Sequence, residues 1–537
     1  MNSALQARID ALFTDLAGRS APGLVVGVLQ AGEVLHAKGY GMADLSQLTP
    51  LKADSVLRIA SVSKQFTVAA ALLLERQGRL SQQDDVRQHL PELGPWDLDG
   101  AVVRIEHLMR NTSGLPDVLE LLRLGGVNLD LRVDRATLLQ AMLRNRHLNF
   151  MPGSQFLYCN SGFALLGLIV ERITGQSLGE LLQQQFFGPL GMRQTRMLVE
   201  SDVPLPRLAS GYLPVPAEAG GGWRRAQHGF EHGGEGGMVS SVQDMLQWAA
   251  HLLRPAGAAP DMAADLMHAA SLNGGEASPY ARGLERSTLD GLACIGHGGL
   301  WPGFRTEFLL LPERELAVVV ISNDGGHNPY KTAREIARLA LDLPPPAAAA
   351  PDAALLGRWW DMASAQLLEL SLQGKRLMAQ QWGVSFELQA TADGRWLPLR
   401  GAYELQLLGL GPDGRLQLQA GRGQQHGLQR LNAPAALPEG LAGDYWCEDI
   451  ATWWRIRPCG AGLAVWAEGP LLKPTQPWAL QGLDAGTVEL LSQGYWMQGR
   501  QLLHPQRDEQ GRVQALCVDT ARVKGLRFER RNASKEV

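Results

Sequence analysis

The sequence predicts an α+β domain followed by two small antiparallel β-barrels, and three observations carry that expectation. Helical and strand patterns mix over residues 1–342, with strands at both ends and helices between. A break follows at Leu343-Pro344-Pro345-Pro346-Ala347-Ala348-Ala349-Ala350-Pro351, where prolines lock φ and remove donors, so an extended spacer is expected over 343–354. Beyond it, short alternating segments are separated by Gly, Asp-Gly and Pro turns, the pattern of small all-β units.

Taken in order, Met1–Ala21 carries a mixed helical pattern (Leu5, Ile9, Leu12, Phe13, Leu16). Leu24–Leu29 is a strand, Gln30–Gly32 a turn and Val34–Ala37 a returning strand. Helices are expected at Ser61–Gln77, Ala136–Arg144, Gly162–Ile173, Leu178–Phe187 and Val242–Leu253. Strands return at Glu307–Leu311 and Leu316–Ser322, and a helix at Tyr330–Leu341 closes the domain. The sheet should therefore be built from the two ends of the domain. In the C-terminal part, strands are expected at Leu368–Leu370, Leu377–Gln380, Leu416–Leu418 and Val488–Leu491.

That part also repeats itself. Leu355-Leu356-Gly357-Arg358-Trp359-Trp360 answers Leu441-Ala442-Gly443-Asp444-Tyr445-Trp446 at an offset of 86 residues, and the same offset carries Gly374 to Gly460 and Leu377 to Leu463. Two copies of one module, over 355–433 and 438–537, are the simplest reading.

Composition narrows the function classes. The 537 residues carry 50 Lys+Arg against 54 Asp+Glu, a net −4, which excludes the basic footprint of a nucleic-acid binder. With 45% hydrophobic residues the chain can bury several cores. Five widely spaced cysteines without a CxxC suggest neither a disulfide framework nor a zinc ribbon. The start lacks a basic stretch followed by an apolar core, and no apolar run approaches the roughly 20 residues of a membrane span. The expectation is a soluble, cytoplasmic protein that binds neither membrane nor nucleic acid.

Only eight of the 50 basic residues are lysines, so a lysine within an apolar stretch is a candidate for chemistry closed to the permanently charged arginine. Lys64 is such a residue, in Ser61-Val62-Ser63-Lys64, the chain's one S-x-x-K. A helix beginning at Ser61 places Lys64 one turn on and on the same face. A serine hydroxyl needs a neighbouring base to become a nucleophile, and lysine serves only when neutral, which demands burial or nearby positive charge. Standing alone, the tetrapeptide also fits a capping serine and a surface lysine.

Tyr158-Cys159-Asn160 follows a Pro-Gly turn and precedes an apolar helix. Tyrosine can share a proton with serine and lysine, and the Asn amide can both donate and accept; standing alone, the motif is better read as a buried tyrosine with a capping Asn. Gly296-His297-Gly298-Gly299-Leu300 precedes a strand pair. There glycines would let substrate lie along a sheet edge with main-chain N–H groups aimed at its carbonyl oxygen. His232-Gly233-Gly234 has the same H-x-G form but lies in a Gly-rich loop, so His297 is preferred. His228, Glu231, His232 and Glu235 look superficially like a metal cluster, without the helical periodicity of one. Cys159 reads as a small buried residue rather than a reactive thiol.

In this order and spacing the motifs resemble the penicillin-binding-protein and class C β-lactamase superfamily of serine hydrolases, which carry S-x-x-K, then Y-x-N, then K-T-G or H-x-G. The resemblance spans the first 340 residues or so and includes His107–Leu115, Gly236–Ser241 with Asp244 and Trp248, and Pro312-Glu313 with Asn323. Ser61–Thr67, Tyr158–Asn160, Gly296–Gly299 and the two appended modules are similar to the D-stereospecific aminopeptidases of that superfamily. The resemblance implies a β-lactamase-like catalytic domain with two lipocalin-like barrels, no metal or cofactor, and a homodimer. It implies Ser61, Lys64 and Tyr158 as catalytic residues, and Asn160, His297, Gly299 and Leu300 as substrate-binding ones, with the N–H groups of Ser61 and Leu300 forming the oxyanion hole. Small peptides, amides or esters are the implied substrates. An esterase, a D-amino-acid amidase or a peptide-cyclising thioesterase is the alternative on the same site, and a non-catalytic penicillin-recognising scaffold the remote one. In those aminopeptidases a loop from one barrel enters the cleft and an acidic side chain on it reads the free amine. The corresponding Ser492–Arg500 holds no Asp or Glu, and Tyr495 and Trp496 offer cation–π contact instead.

Overall fold

A computed structural model describes residues 2–531, apart from 17, 19, 130–132, 201–202, 228, 256–258, 347–348, 363, 392, 400–404, 421–423, 432–434, 470–475, 485 and 493–498. His228, Tyr495 and Trp496 lie outside the described residues.

The main sheet has six strands: β1 (Leu24–Gln30), β2 (Glu33–Tyr40), β3 (Glu285–Leu289), β4 (Leu292–Trp301), β5 (Phe304–Leu311) and β6 (Leu316–Ser322), in the order β3-β4-β5-β6-β1-β2. All neighbours are antiparallel, and β1 pairs with β6 from Leu24↔Ser322 to Gln30↔Leu316, so both ends of the domain meet in the sheet as the sequence predicts.

Successive side chains of a strand face opposite sides, and here both sides are covered. Val26, Val28, Leu309, Val318 and Val320 form one apolar layer with Ile336 and Ala337 of the closing helix and Ile9 and Phe13 of the N-terminal segment. Val25, Phe308, Leu310, Val319 and Ile321 face the helical body on the other side. Every residue of β6 is therefore buried, which explains its unbroken apolar run.

Inside the helical body lies α1 (Lys64–Arg76), buried from Lys64 through Leu74. A helix apolar on all faces belongs in an interior. It packs against α2 (Asn160–Thr174), α3 (Val242–Leu253) lies between it and the sheet, and a short helix Val118–Leu124, not anticipated from the sequence, flanks the site. The α-helix begins at Lys64 rather than Ser61, because Ala60–Ser63 forms a 3-10 turn.

Two closed eight-stranded antiparallel barrels follow, spanning Gly357–Leu431 and Gly443–Arg530. Closure pairs first strand with last, Trp359↔Arg430 in one barrel and Tyr445↔Arg530 in the other, leaving no free edge. No helix among the described residues is long and apolar enough to cross a membrane.

Candidate active site

The 3-10 turn that carries Ser61 decides the local geometry. Side chains three apart eclipse in a 3-10 turn, and Lys64 Nζ lies 3.1 Å from Ser61 Oγ. Ala60, just before the serine, has φ +49°, in the left-handed region that costs a non-glycine residue about 1–2 kcal/mol. β4 passes directly against this turn: a Cβ on Gly299 would stand 2.3 Å from the Ile59 carbonyl oxygen. Only glycine allows that approach, and Leu300, next along the strand, is exposed at the cleft.

Lys64 is fully buried. Its Nζ meets Asn160 Oδ1 at 2.9 Å and the Glu235 carbonyl oxygen at 2.5 Å. Burial lowers its pKa from 10.5 to about 7, against the pull of Glu235 and Asp117 and with the help of Arg522. The pattern of partners fixes what the neutral amine does. Asn160 Oδ1 and the Glu235 carbonyl only accept, so they take its two N–H bonds, and the lone pair is left facing the Ser61 hydroxyl.

Tyr158 closes the set, its Oη donating to Ser61 Oγ at 2.6 Å. Burial raises the phenol pKa, and the Arg522 cation, 4.8 Å from the ring centroid, opposes that rise. Asn160 begins α2, and its orientation is set by a residue the sequence reading missed. Asp117 Oδ2 accepts from both the Asn160 backbone N–H (2.8 Å) and Nδ2 (2.9 Å), which turns Oδ1 toward Lys64. Asp117 also caps the Val118–Leu124 helix by accepting from Leu119 N. An Asp before an apolar run is a readable cap; its reach to Asn160 is tertiary and leaves no local mark.

His297 lies on β4 in the cleft wall, fully buried. Its Nδ1 donates to the Gly298 carbonyl (2.6 Å), leaving Nε2 to accept from Tyr280 Oη (2.8 Å). Burial, aided by Lys64, lowers its pKa to about 3, so it stays neutral. Tyr280, also unforeseen, packs edge-on to Tyr158, His297 and Phe163. The rival His232 is also buried at the cleft but is tied to Glu235 Oε1 at 2.5 Å, its ring against Phe230 and Trp301. Cys159 is buried, donates to the Leu115 carbonyl at 3.2 Å, and has its pKa pushed up to about 12 by burial, so it is no thiolate.

Ser61, Tyr158, Asn160, His297, Gly299 and Leu300 thus line one cleft of about 1090 Å³, with Lys64 beneath it. The first barrel contributes Gln381, Trp382 and Phe386; the second contributes Gly499, Arg500 and the turn Thr520–Lys524.

A strained turn presenting a serine to a tyrosine and a buried lysine whose pKa is lowered to about 7, beside the end of β4 that runs past β3, is the arrangement of a serine acyl-transfer enzyme. Comparison with known proteins gives the family. The Beta-lactamase family model matches residues 9–343. The chain is 30% identical over 368 residues to a D-aminopeptidase of Cereibacter sphaeroides (strain ATCC 17029 / ATH 2.4.9), covering 68% of each protein. It is 29% identical over 371 residues to a D-aminopeptidase of Brucella anthropi, covering 68% of this chain and 69% of that one. Among solved structures, the octameric penicillin-binding protein homologue from Pyrococcus abyssi superposes with TM-score 0.57 at 21% identity, covering 79% of this chain and 100% of that one. The D-amino acid amidase from Ochrobactrum anthropi SV3 does so with TM-score 0.53 at 21% identity, covering 63% and 99%. The protein is a serine hydrolase, and the chain belongs to the Beta-lactamase family.

Proposed function

We propose that this enzyme releases N-terminal D-amino acids from small peptides or amides through an acyl-enzyme. Ser61 Oγ attacks the carbonyl carbon while its proton passes to Lys64 and Tyr158. The N–H groups of Ser61 and Leu300 hold the oxyanion, and Asn160, His297 and Gly299 form the wall along which the acyl group lies. The shared proton then goes to the leaving amine, and water, deprotonated by the same pair, releases the acid. No metal or cofactor takes part. One observation carries the reading: a fully buried lysine and a tyrosine both within hydrogen-bond distance of one serine hydroxyl. The D-aminopeptidase relatives support the choice of substrate.

The second reading of the same site is an esterase, a D-amino-acid amidase or a peptide-cyclising thioesterase; a cleft of about 1090 Å³ favours the wider acyl groups of the esterase and thioesterase. We also propose the division into a catalytic domain (1–342), a linker (343–354) and barrel modules over 355–433 and 438–537, in a cytoplasmic homodimer; the family resemblance supports the dimer.

The deciding assay compares D- and L-alanine p-nitroanilides, their N-acetyl forms, a p-nitrophenyl ester and a chromogenic cephalosporin. The expected result is preference for the free-amine D-anilide and loss of at least about 10⁴-fold in kcat on Ser61→Ala. Lys64 must be neutral to act, so kcat/KM should rise about tenfold per pH unit up to about 7 and then level. Turnover that survives Ser61→Ala rejects the mechanism; preference for the N-acetylated anilides or the ester keeps the mechanism and moves the substrate to the alternative.

A further inference from the structure

The second barrel sends Arg522 to the centre of this site, from the turn that joins its last two strands. We infer that Arg522 is a positioning residue of the acyl-transfer centre, holding Asp117 on one side while its guanidinium lies over the Tyr158 ring on the other. This rests on the reading of Ser61, Lys64 and Tyr158 given above.

The geometry is built rather than incidental. Arg522 Nη1 stands 3.4 Å from Asp117 Oδ2, and Asp117 is fully buried. Asp117 orients the Asn160 amide, and Asn160 Oδ1 takes one of the Lys64 N–H bonds. A chain of contacts thus runs from the C-terminal barrel through Asp117 and Asn160 to the base. The backbone of Arg522 is clamped as well: its N–H donates to Glu120 Oε2 at 2.9 Å, and its carbonyl accepts from Asp117 N at 3.3 Å and Asn149 Nδ2 at 3.1 Å. Thr520 Oγ1 donates to the same Glu120 oxygen, and Lys524 N donates to Asn149 Oδ1 at 2.7 Å.

Charge gives the contact its purpose. A buried carboxylate linked to Lys64 through the Asn160 amide favours the ammonium, the form that cannot act as base. Asp117 and Glu235 pull in that direction; Arg522 pulls against them, and His232, His297, Tyr158 and Cys159 complete the groups around the amine. The same cation over the ring favours loss of the Tyr158 proton. Both effects ready the pair to accept the serine proton, so the catalytic domain's electrostatics are completed by a domain nearly four hundred residues further along the chain.

The test follows acylation of Ser61 by p-nitrophenyl acetate across pH in the full-length protein, with Ser61→Ala as the control. Arg522→Gln should move the acidic limb of the rate up by about one pH unit, lower the rate at pH 6 about tenfold and change KM less than about threefold. Arg522→Lys should return the limb to within about 0.3 unit of wild type, because it restores the charge. Asp117→Asn, which removes the negative charge and whose one carbonyl oxygen can keep either the cap or the Asn160 contact, should move the limb the opposite way. A limb that stays at its wild-type position in Arg522→Gln overturns the inference; a purely structural role would lower amplitude or melting temperature without moving it. Should Arg522→Gln fail to fold, an unmoved limb in Asp117→Asn overturns it instead. Acylation that persists in Ser61→Ala rejects the acyl-transfer reading and this inference with it, whereas a silent Ser61→Ala with unmoved limbs rejects only the inference.

Discussion

In the first barrel Gly357 leads into Trp359, whose indole N–H donates to the Leu355 carbonyl at 2.8 Å. In the second, Gly443 leads into Tyr445, whose hydroxyl donates to the Leu441 carbonyl at 2.8 Å. Each aromatic lies beneath an arginine of the closing strand, Arg430 at 4.6 Å and Arg530 at 5.6 Å from the ring centroid. Both glycines take a positive φ, and a Cβ on Gly443 would run into Arg530. The construction is repeated residue for residue, yet the two copies attach differently. The core of the second barrel takes in Leu121 and Leu124 of the catalytic domain, and Trp454 Nε1 donates to the Leu124 carbonyl at 2.9 Å. Among the described residues the core of the first is made of its own side chains, and its Trp360 and Leu367 pack on Leu483 and Leu502 of the second barrel rather than on the catalytic domain. It meets the catalytic domain through polar contacts such as Asn328 Nδ2 to the Leu399 carbonyl and Lys331 to Glu387. A duplicated sequence therefore specifies a shared fold, while the role of each copy is decided by which surface its apolar core continues into.

Matched truncations test that difference most severely. Trp454→Ala removes the side chain on which the Val118–Leu124 helix rests and should cost about 3–5 kcal/mol. It should also take most of the activity with it, because the turn bearing Arg522 is docked by the same barrel. Trp359→Ala should cost its own barrel a similar amount and leave kcat/KM within about threefold of wild type. Melting curves with turnover of the preferred anilide separate the two. Equal losses of activity would break the comparison.

The same contrast explains what the sequence made legible. The nearness of Ser61 to Lys64 was readable because the 3-10 turn converts local spacing into proximity, whereas Tyr158 and Asn160 reach that pair through tertiary contacts and were expected there from the family resemblance. The meeting of β1 with β6 was readable from apolar patterning at both ends of the domain. Asp117, Tyr280 and Arg522 were not. Arg522 reads as one more turn arginine in Thr520-Ala521-Arg522-Val523-Lys524, and only the docking of a distant barrel puts it above Tyr158. Ser492–Arg500, the stretch expected to enter the cleft, holds no acidic side chain, and the second barrel brings in the Arg522 cation from the next connection but one.

Asn149 sits between the two behaviours. It grips the Arg522 turn twice, through Nδ2 to the Arg522 carbonyl and through Oδ1 from Lys524 N. Asn149→Ala takes the acceptor from the Lys524 N–H and one of two donors from the Arg522 carbonyl, which keeps Asp117 N, a loss of about 1–3 kcal/mol. Because it loosens the turn without removing a charge, it should lower kcat several-fold with the acidic limb of the pH profile near its wild-type position. A shift as large as that expected of Arg522→Gln would mean that the position of the guanidinium matters as much as its presence.

The smallest effect belongs to the first barrel's ion pair. Lys331 Nζ and Glu387 Oε2 are 3.2 Å apart, but the lysine side chain is 45% exposed and Glu387 also has Arg376 at 3.6 Å. Water and salt screen such a pair, and Arg376 remains to neutralise the carboxylate when the lysine is removed. Lys331→Ala should therefore change stability by less than about 1 kcal/mol and kcat/KM by less than about twofold, at low salt as at high. Both residues line the cleft, so this is a demanding expectation: a larger, salt-sensitive change in KM would show that the first barrel reads the substrate's charge. The passive role assigned to it by its self-contained core would then have to be given up, while the anchoring of the second barrel through Trp454 would stand.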